Sequence, residues 1–321
     1  MGKNYSLYYL YVVFFLIFSV FTGVYINSFL IIWLIFEFNL LMFLFLVYLS
    51  VFVFNSMMLI YYIIQSLSSL MILFSGIYFD GSLWLLYLFM FFMVKLGVPP
   101  FHYWFIYLLK ELDWLGGLIL MTGQKFLPLL IFYQLMLFNN LMFGFMVIFM
   151  IFMFKSLNFI NLKVLIGYSS IVQTYWLILS MYFSSFLFIN YLFIYLINVG
   201  GLVSCFYLNG MKNLLDIFFV GYITIMILLF MGISSMGMPM SMTFIIKLMI
   251  FEVTVLKNFF FILIMLSSLF MMVYIRLMIN SFMLNSFINK LVIYNVKLGG
   301  LFFLLIFYIS LMYFLPMGCY F

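Results

Sequence analysis

Of the 321 residues 70% are hydrophobic and only 6% are charged, twelve Lys or Arg against six Asp or Glu, with a formal net charge of +6. A water-soluble domain carries about 25% charged residues, so this composition, with a mean hydropathy of +1.41, excludes a soluble fold. It predicts an all-α integral membrane protein, because apolar stretches of about 20 residues recur along the chain.

In chain order, the apolar runs predict about eleven transmembrane helices. The first three lie near 7–25, 28–48 and 55–78. A longer segment, 82–109, is interrupted by Gly97, Pro99 and Pro100. Spans near 115–138, 141–157, 164–183 and 186–209 follow. The segment 215–256 is again too long for one crossing and is interrupted by Gly232, Gly237 and Pro239. The last two spans lie near 259–282 and 298–317. Lys3 precedes an apolar run with no cleavage signal, so the first stretch reads as a span rather than a removed leader. No stretch between spans is long enough for a separate domain, and residues 1–321 read as one multi-pass membrane domain.

Charge gives the sidedness. Lys3, Lys110, Lys155, Lys163, Lys212, Lys290 and Lys297 fall on the side shared with the N-terminus, and Lys257 on the other. Basic residues mark the side of synthesis. The two broken segments also echo each other: Gly97-Val98-Pro99 in the fourth span and Gly237-Met238-Pro239 in the ninth, five spans later. Interrupted helices at matching positions mark an inverted repeat with a site near mid-membrane. The repeats are read as 7–138 and 141–282, with 298–317 as a separate C-terminal helix.

Four ionisable residues lie deep inside apolar runs: Glu37, Lys95, Lys125 and Lys247. Each costs about 2.5–3.5 kcal/mol on insertion scales, so such residues face a polar interior and carry function. Burial disfavours an ammonium and a nearby carboxylate favours it, so a lysine held between the two can take up and release a proton. Arginine cannot do so, and the single Arg276 is not among the four. Three deep lysines and a deep glutamate are the composition of a proton relay. Blander readings stand beside it. Glu37 could be half of a structural ion pair. Lys95 and Lys247 could cap carbonyls freed at the breaks, and Lys125 could pack near Thr122, Gln124 and Pro128. His102, the only histidine, reads either as a satisfied residue stabilising the first break or as a proton step between Lys95 and Lys125.

Other chemistries find no support. Cys205 and Cys319 are too few for a disulfide framework or a metal site and read as packing residues. There is no phosphate loop, dinucleotide fingerprint or zinc-ligand spacing. No cofactor, metal or nucleic-acid partner is expected. Alanine is absent, while Phe 48, Tyr 25 and Met 29 are abundant. A T-rich genome such as that of many animal mitochondria accounts for this; a gene in a nucleus of balanced base composition would overturn the explanation.

Five runs carry a family resemblance. KLGVPPFHYWF (95–105), LILMTGQKFLPL (118–129), SLNFINLKVLIGYSSIVQTYW (156–176), WLIFEFNLL (33–41) and GMPMSMTFIIK (237–247) resemble, in order and spacing, motifs of subunit 2 of respiratory complex I in its eleven-helix animal form. That resemblance implies an antiporter-like fold. It implies a core subunit that moves protons across the inner mitochondrial membrane while other subunits oxidise NADH and reduce ubiquinone. NADH, FMN, iron–sulfur clusters and ubiquinone would then be handled elsewhere in the enzyme, NADH:ubiquinone reductase, with no redox centre in this chain. Partners would be the other membrane-arm subunits and membrane lipids, cardiolipin among them, with the N-terminus in the matrix and the C-terminus in the intermembrane space. Glu37 falls at the family's second-helix carboxylate, Lys95 at the lysine of the first broken helix, Lys125 at the central lysine and Lys247 at the distal lysine. The chain departs from the pattern at Gly123, where the family has Trp, and at Gln173, where it has His. Met240 and Ile246 replace prolines, so a milder second break is expected. A cation/proton antiporter subunit and a passive membrane scaffold are the alternative readings; deep lysines count against the scaffold.

Overall fold

Lipid offers backbone N–H and C=O groups no partners, so an apolar chain must satisfy them within each crossing segment. This chain does so with helices. The computed structural model describes residues 2–24, 28–51, 56–78, 82–135, 161–214, 216, 222–237 and 241–253. It divides into two units, residues 1–152 and 153–321. The first contains α1 (Gly2–Val24), α2 (Phe29–Val51), α3 (Ser56–Tyr78), α4 (Ser82–Leu96), α5 (Tyr103–Glu111), α6 (Trp114–Met121) and α7 (Gly123–Gln134). The second contains α8 (Leu162–Phe183), α9 (Ser185–Leu208), α10 (Tyr222–Met236) and α11 (Met242–Val253). Among the described residues the one non-helical pairing is an isolated bridge between Asn161 and Asn213.

The all-helical class expected from composition is therefore observed. Segments Phe29–Leu49, Ser56–Tyr78, Trp114–Gln134, Leu162–Phe183 and Ser185–Leu208 are long and apolar enough to cross a membrane. The expected spans 141–157, 259–282 and 298–317, together with Pro239, Lys257 and Arg276, lie outside the described residues.

In the first unit α3 packs on α2 and α4, and α7 packs on α1 and α4. Ring contacts Phe36–Phe92 (centroids 6.1 Å apart) and Phe92–Phe132 (5.7 Å) tie α2, α4 and α7 together edge-on. α3 shows how the bilayer inverts the usual pattern. Its outward side carries Leu59, Ile63, Leu67 and Phe74, all exposed, and its inward side carries Tyr61, Gln65, Ser68, Ser69 and Ser75. In the second unit α8 is the central element, buried without interruption from Val164 to Met181. Its hydroxyls satisfy themselves locally: Ser169, Ser170, Thr174 and Ser180 each donate to the carbonyl three residues back at 2.7 Å.

Interruptions are present at Gly97 and at Gly237, whereas Gly232, also expected to interrupt the second segment, lies inside α10. Gly97 has φ +64°, its N–H donates to the Val94 carbonyl, and the Val98 N–H donates to Met93, which closes α4 with a left-handed Schellman cap. Gly237 has φ +77° and donates to Ser234, closing α10. α10 stops at Met236 and α11 begins at Met242. Met240, on which the expectation of a milder second break rests, lies outside the described residues. A third interruption was not expected. The span read as 115–138 is divided at Thr122, whose hydroxyl donates back to Leu118 at 2.7 Å. Gly123 follows, and Pro128 removes the amide that the Gln124 carbonyl would otherwise accept. Lys125 thus lies in the first turn of α7.

Candidate functional site

The three candidate lysines in described helices are buried: Lys95 is 5% exposed, Lys125 2% and Lys247 9%. Each places its Nζ over an aromatic ring. The distances to the centroid are 4.1 Å for Lys95 over Phe36, 4.4 Å for Lys125 over Phe105 and 4.9 Å for Lys247 over Trp176. A ring face attracts an ammonium by about 0.5–2 kcal/mol without itself titrating. It therefore favours the charged form while leaving the proton free to depart.

In the first unit, α3 organises the polar groups. Tyr61, Gln65 and Ser69 are spaced four residues apart and share one face, rising about 6 Å per step. Each meets a different part of the site. The Ser69 hydroxyl donates to Glu37 Oε1 at 2.5 Å. Gln65 and Lys95 are joined twice: Gln65 Nε2 donates to the Lys95 carbonyl and Lys95 Nζ donates to the Gln65 carbonyl, both at 3.3 Å. The Tyr61 hydroxyl donates to Gln124 Oε1 at 3.2 Å. Gln124 also forms a reciprocal amide pair with Asn39, at 3.4 and 3.3 Å, linking α2 to α7 beside Lys125. Glu37 is half-buried.

The first break supports the same region. Trp104 Nε1 donates to the Val94 carbonyl at 3.1 Å, and Phe105, under Lys125, lies against Gly97 closely enough that an added Cβ would stand 3.0 Å from its own Cβ. Pro99 is buried and Pro100 half-buried. His102 is fully buried at the N-cap of α5, where its side chain makes no capping bond, with its ring 4.4 Å from that of Tyr103. Glu111 and Asp113 are exposed, as a solvated loop requires.

Lys247 belongs to the second unit, where its surroundings are Trp176 on α8 and the break at Gly237. A Cβ added at Gly237 would lie 2.8 Å from Lys247 Nζ. Around that break, Thr243 Oγ1 donates to the Ser234 carbonyl, and the Ser234 hydroxyl donates to Asn198 Oδ1 at 2.8 Å. Gln173 Nε2 donates to the Ser235 carbonyl at 3.4 Å. Among the described residues, no hydrogen-bond partner meets the buried Gln173 Oε1 or Asn198 Nδ2. Gln173 thus fills its position as an amide that anchors the helix end.

The residues missed by sequence reasoning are Asn39, Tyr61, Gln65, Ser69 and Asn198. The signal for three of them was present: polar groups at four-residue spacing on one side of an apolar span.

No family model matches the chain. By sequence it is 29% identical over 234 residues to NADH-ubiquinone oxidoreductase chain 2 of Anopheles gambiae, covering 65% of this chain and 67% of that one. To the Aedes aegypti protein of the same name it is 27% identical over 209 residues, covering 63% and 61%. The chain thus spans about two thirds of the length of these curated relatives. By fold it matches a chain of respiratory complex I from Thermus thermophilus with a TM-score of 0.78 at 16% identity, covering 88% of this chain and 72% of that one. It matches a chain of the membrane-bound sulfane sulfur reductase, an archaeal respiratory membrane complex, with a TM-score of 0.78 at 14% identity, covering 97% and 73%. The chain is therefore a homologue of NADH-ubiquinone oxidoreductase chain 2, with the all-helical fold of a respiratory-complex membrane subunit.

Proposed function

We propose that this chain is a proton-translocating core subunit of respiratory complex I, with Glu37, Lys95, Lys125 and Lys247 as its relay and His102 as a candidate further step. One observation carries the reading: Glu37 and Lys95 are both bound to α3 one helical turn apart, Glu37 through the Ser69 hydroxyl and Lys95 through the Gln65 carbonyl. Protonation of Glu37 removes the charge that favours the Lys95 ammonium, so proton occupancy at one changes the other. Lys125, over Phe105 and next to the Asn39–Gln124 pair, is the next lysine of the relay in the same unit.

The names of its relatives support membership of NADH:ubiquinone reductase, with NADH, FMN, iron–sulfur clusters and ubiquinone handled by other subunits. Among the described residues no group of His, Cys, Asp and Glu is arranged to hold a metal ion. The lysine asymmetry of the loops supports an orientation in the inner mitochondrial membrane with the N-terminus in the matrix and the C-terminus in the intermembrane space. Repeats 7–138 and 141–282, followed by a helix at 298–317, are the proposed organisation. Other membrane-arm subunits, and lipids including cardiolipin, are the proposed partners of the outward apolar faces.

Replacing Glu37 or Lys125 with a neutral residue (Glu37→Gln, Lys125→Met) in the assembled complex tests this. Coupled ubiquinone reduction and pumping should fall severalfold while assembly is retained. Normal turnover together with normal pumping in both variants would remove the relay assignment.

A further inference from the structure

The Ser69 hydroxyl stands between two acceptors but has one hydrogen to give. Its Oγ lies 2.5 Å from Glu37 Oε1 and 2.7 Å from the Ser66 carbonyl oxygen, and Ser69 is fully buried. When Glu37 is ionised, the charge-assisted bond to the carboxylate is the stronger of the two. When Glu37 is protonated, the carboxylic acid becomes a donor. Both contacts are then satisfied in one direction, Glu37 O–H to Ser69 Oγ and Ser69 O–H to the Ser66 carbonyl. A second link reaches Lys95. In α3 the Ser69 amide is the helical donor to the Gln65 carbonyl, and that carbonyl also accepts from Lys95 Nζ at 3.3 Å and from Ser68 Oγ at 2.8 Å.

We propose that Ser69 is a positioning residue for the Glu37–Lys95 pair, its single hydrogen turning from the Glu37 carboxylate to the Ser66 carbonyl whenever Glu37 takes up a proton. This rests on the relay reading above. No proton leaves Ser69; only the direction of its O–H changes, and the transferred proton is the one that Glu37 gains or loses. Among the described ionisable groups on the helices packed against α2 and α3, Lys95 on α4 lies over Phe36 of α2 and bonds the Gln65 carbonyl of α3. Tyr61 on α3 is turned to Gln124, Lys125 on α7 lies over Phe105, and Lys110 and Glu111 at the end of α5 are exposed.

Infrared difference spectroscopy of the assembled complex tests the proposal. The carbonyl stretch of protonated Glu37 is assigned by its loss in Glu37→Gln, and its position is then compared between variants. In Ser69→Ala the acid loses the oxygen that accepts its O–H, so the band should move to higher wavenumber. Ser69→Thr keeps the hydroxyl and should leave the band in place. If Ser69→Ala does not assemble, Ser69→Cys, close in size and a weak hydrogen-bonding partner, should show the same upward movement. An unmoved band in Ser69→Ala or Ser69→Cys would overturn the role of Ser69 and leave the relay standing. A complex in which no band depends on Glu37 at any pH would remove the relay itself, and this proposal with it.

Discussion

Gln65 and Lys95 hold each other by their backbones. The amide of one donates to the carbonyl of the other, and the ammonium of the second donates to the carbonyl of the first, both at 3.3 Å. The pair locks α3 to α4 just before the break at Gly97. It gives Lys95 a neutral acceptor.

Removing the side-chain half of this clamp, while the residue 65 carbonyl still accepts from Lys95, should separate position from charge. Gln65→Leu keeps the bulk but loses the Nε2 donor and leaves the Lys95 carbonyl without it. A lost buried hydrogen bond costs about 1–3 kcal/mol. Thermal unfolding of the complex should begin several degrees lower, and coupled turnover should fall. Unchanged turnover with lowered thermal stability would make Gln65 structural only.

The two helix-ending glycines should respond differently to an added methyl group. At both positions alanine must adopt a left-handed conformation, at about 1–2 kcal/mol. In Gly97→Ala the new Cβ meets the Phe105 Cβ at 3.0 Å, close to the backbone of α5, so reduced assembly is the expected result. In Gly237→Ala it meets the mobile end of Lys247 at 2.8 Å, which can move aside. Assembly should survive there while pumping falls, and intact pumping in assembled Gly237→Ala would count against a role for Lys247 placement.

Gln173 offers a test by gain of a titratable group. It is anchored to the Ser235 carbonyl and cannot change its charge. Gln173→His would introduce a side chain that titrates near pH 6.5 when unperturbed. A new pH-dependent limb in coupled turnover between about pH 5 and 8 is expected. A profile identical to that of the parent protein would show that this position lies off the proton route.

Outside the described helices, the turn after α9 should be acid-sensitive only at low pH. Asp216 Oδ2 accepts from the backbone amides of Asn213 (2.8 Å) and Lys212 (2.7 Å), and those bonds, Asn213 first, hold its carboxyl below the usual range. A depressed carboxyl contributes fully above the ordinary carboxylate range and loses its effect as pH falls through the lowered value. Hydrogen exchange at Lys212 and Asn213 should therefore stay slow down to about pH 4 and quicken below it. Asp216→Asn should remove that pH step.

Much of this protein follows from sequence because the bilayer leaves few choices. Apolar runs must be helices, a left-handed glycine must end one, and Glu37, Lys95, Lys125 and Lys247 stand out because charge is so scarce. Residue type alone also placed the breaks at Gly97 and Gly237. The tertiary structure decided which partners those charges meet. With aromatic residues at 24% of the chain, nothing local tells that Lys95 lies over Phe36, Lys125 over Phe105 or Lys247 over Trp176. Gln65 and Ser69 pass as ordinary polar residues until packing turns their side of α3 toward α2 and α4. The division at Thr122 likewise needed the fold, since Thr, Gly and Pro each occur in uninterrupted membrane helices. Helical periodicity fixes which residues share a face, whereas the face a helix meets is set by contacts between residues distant along the chain.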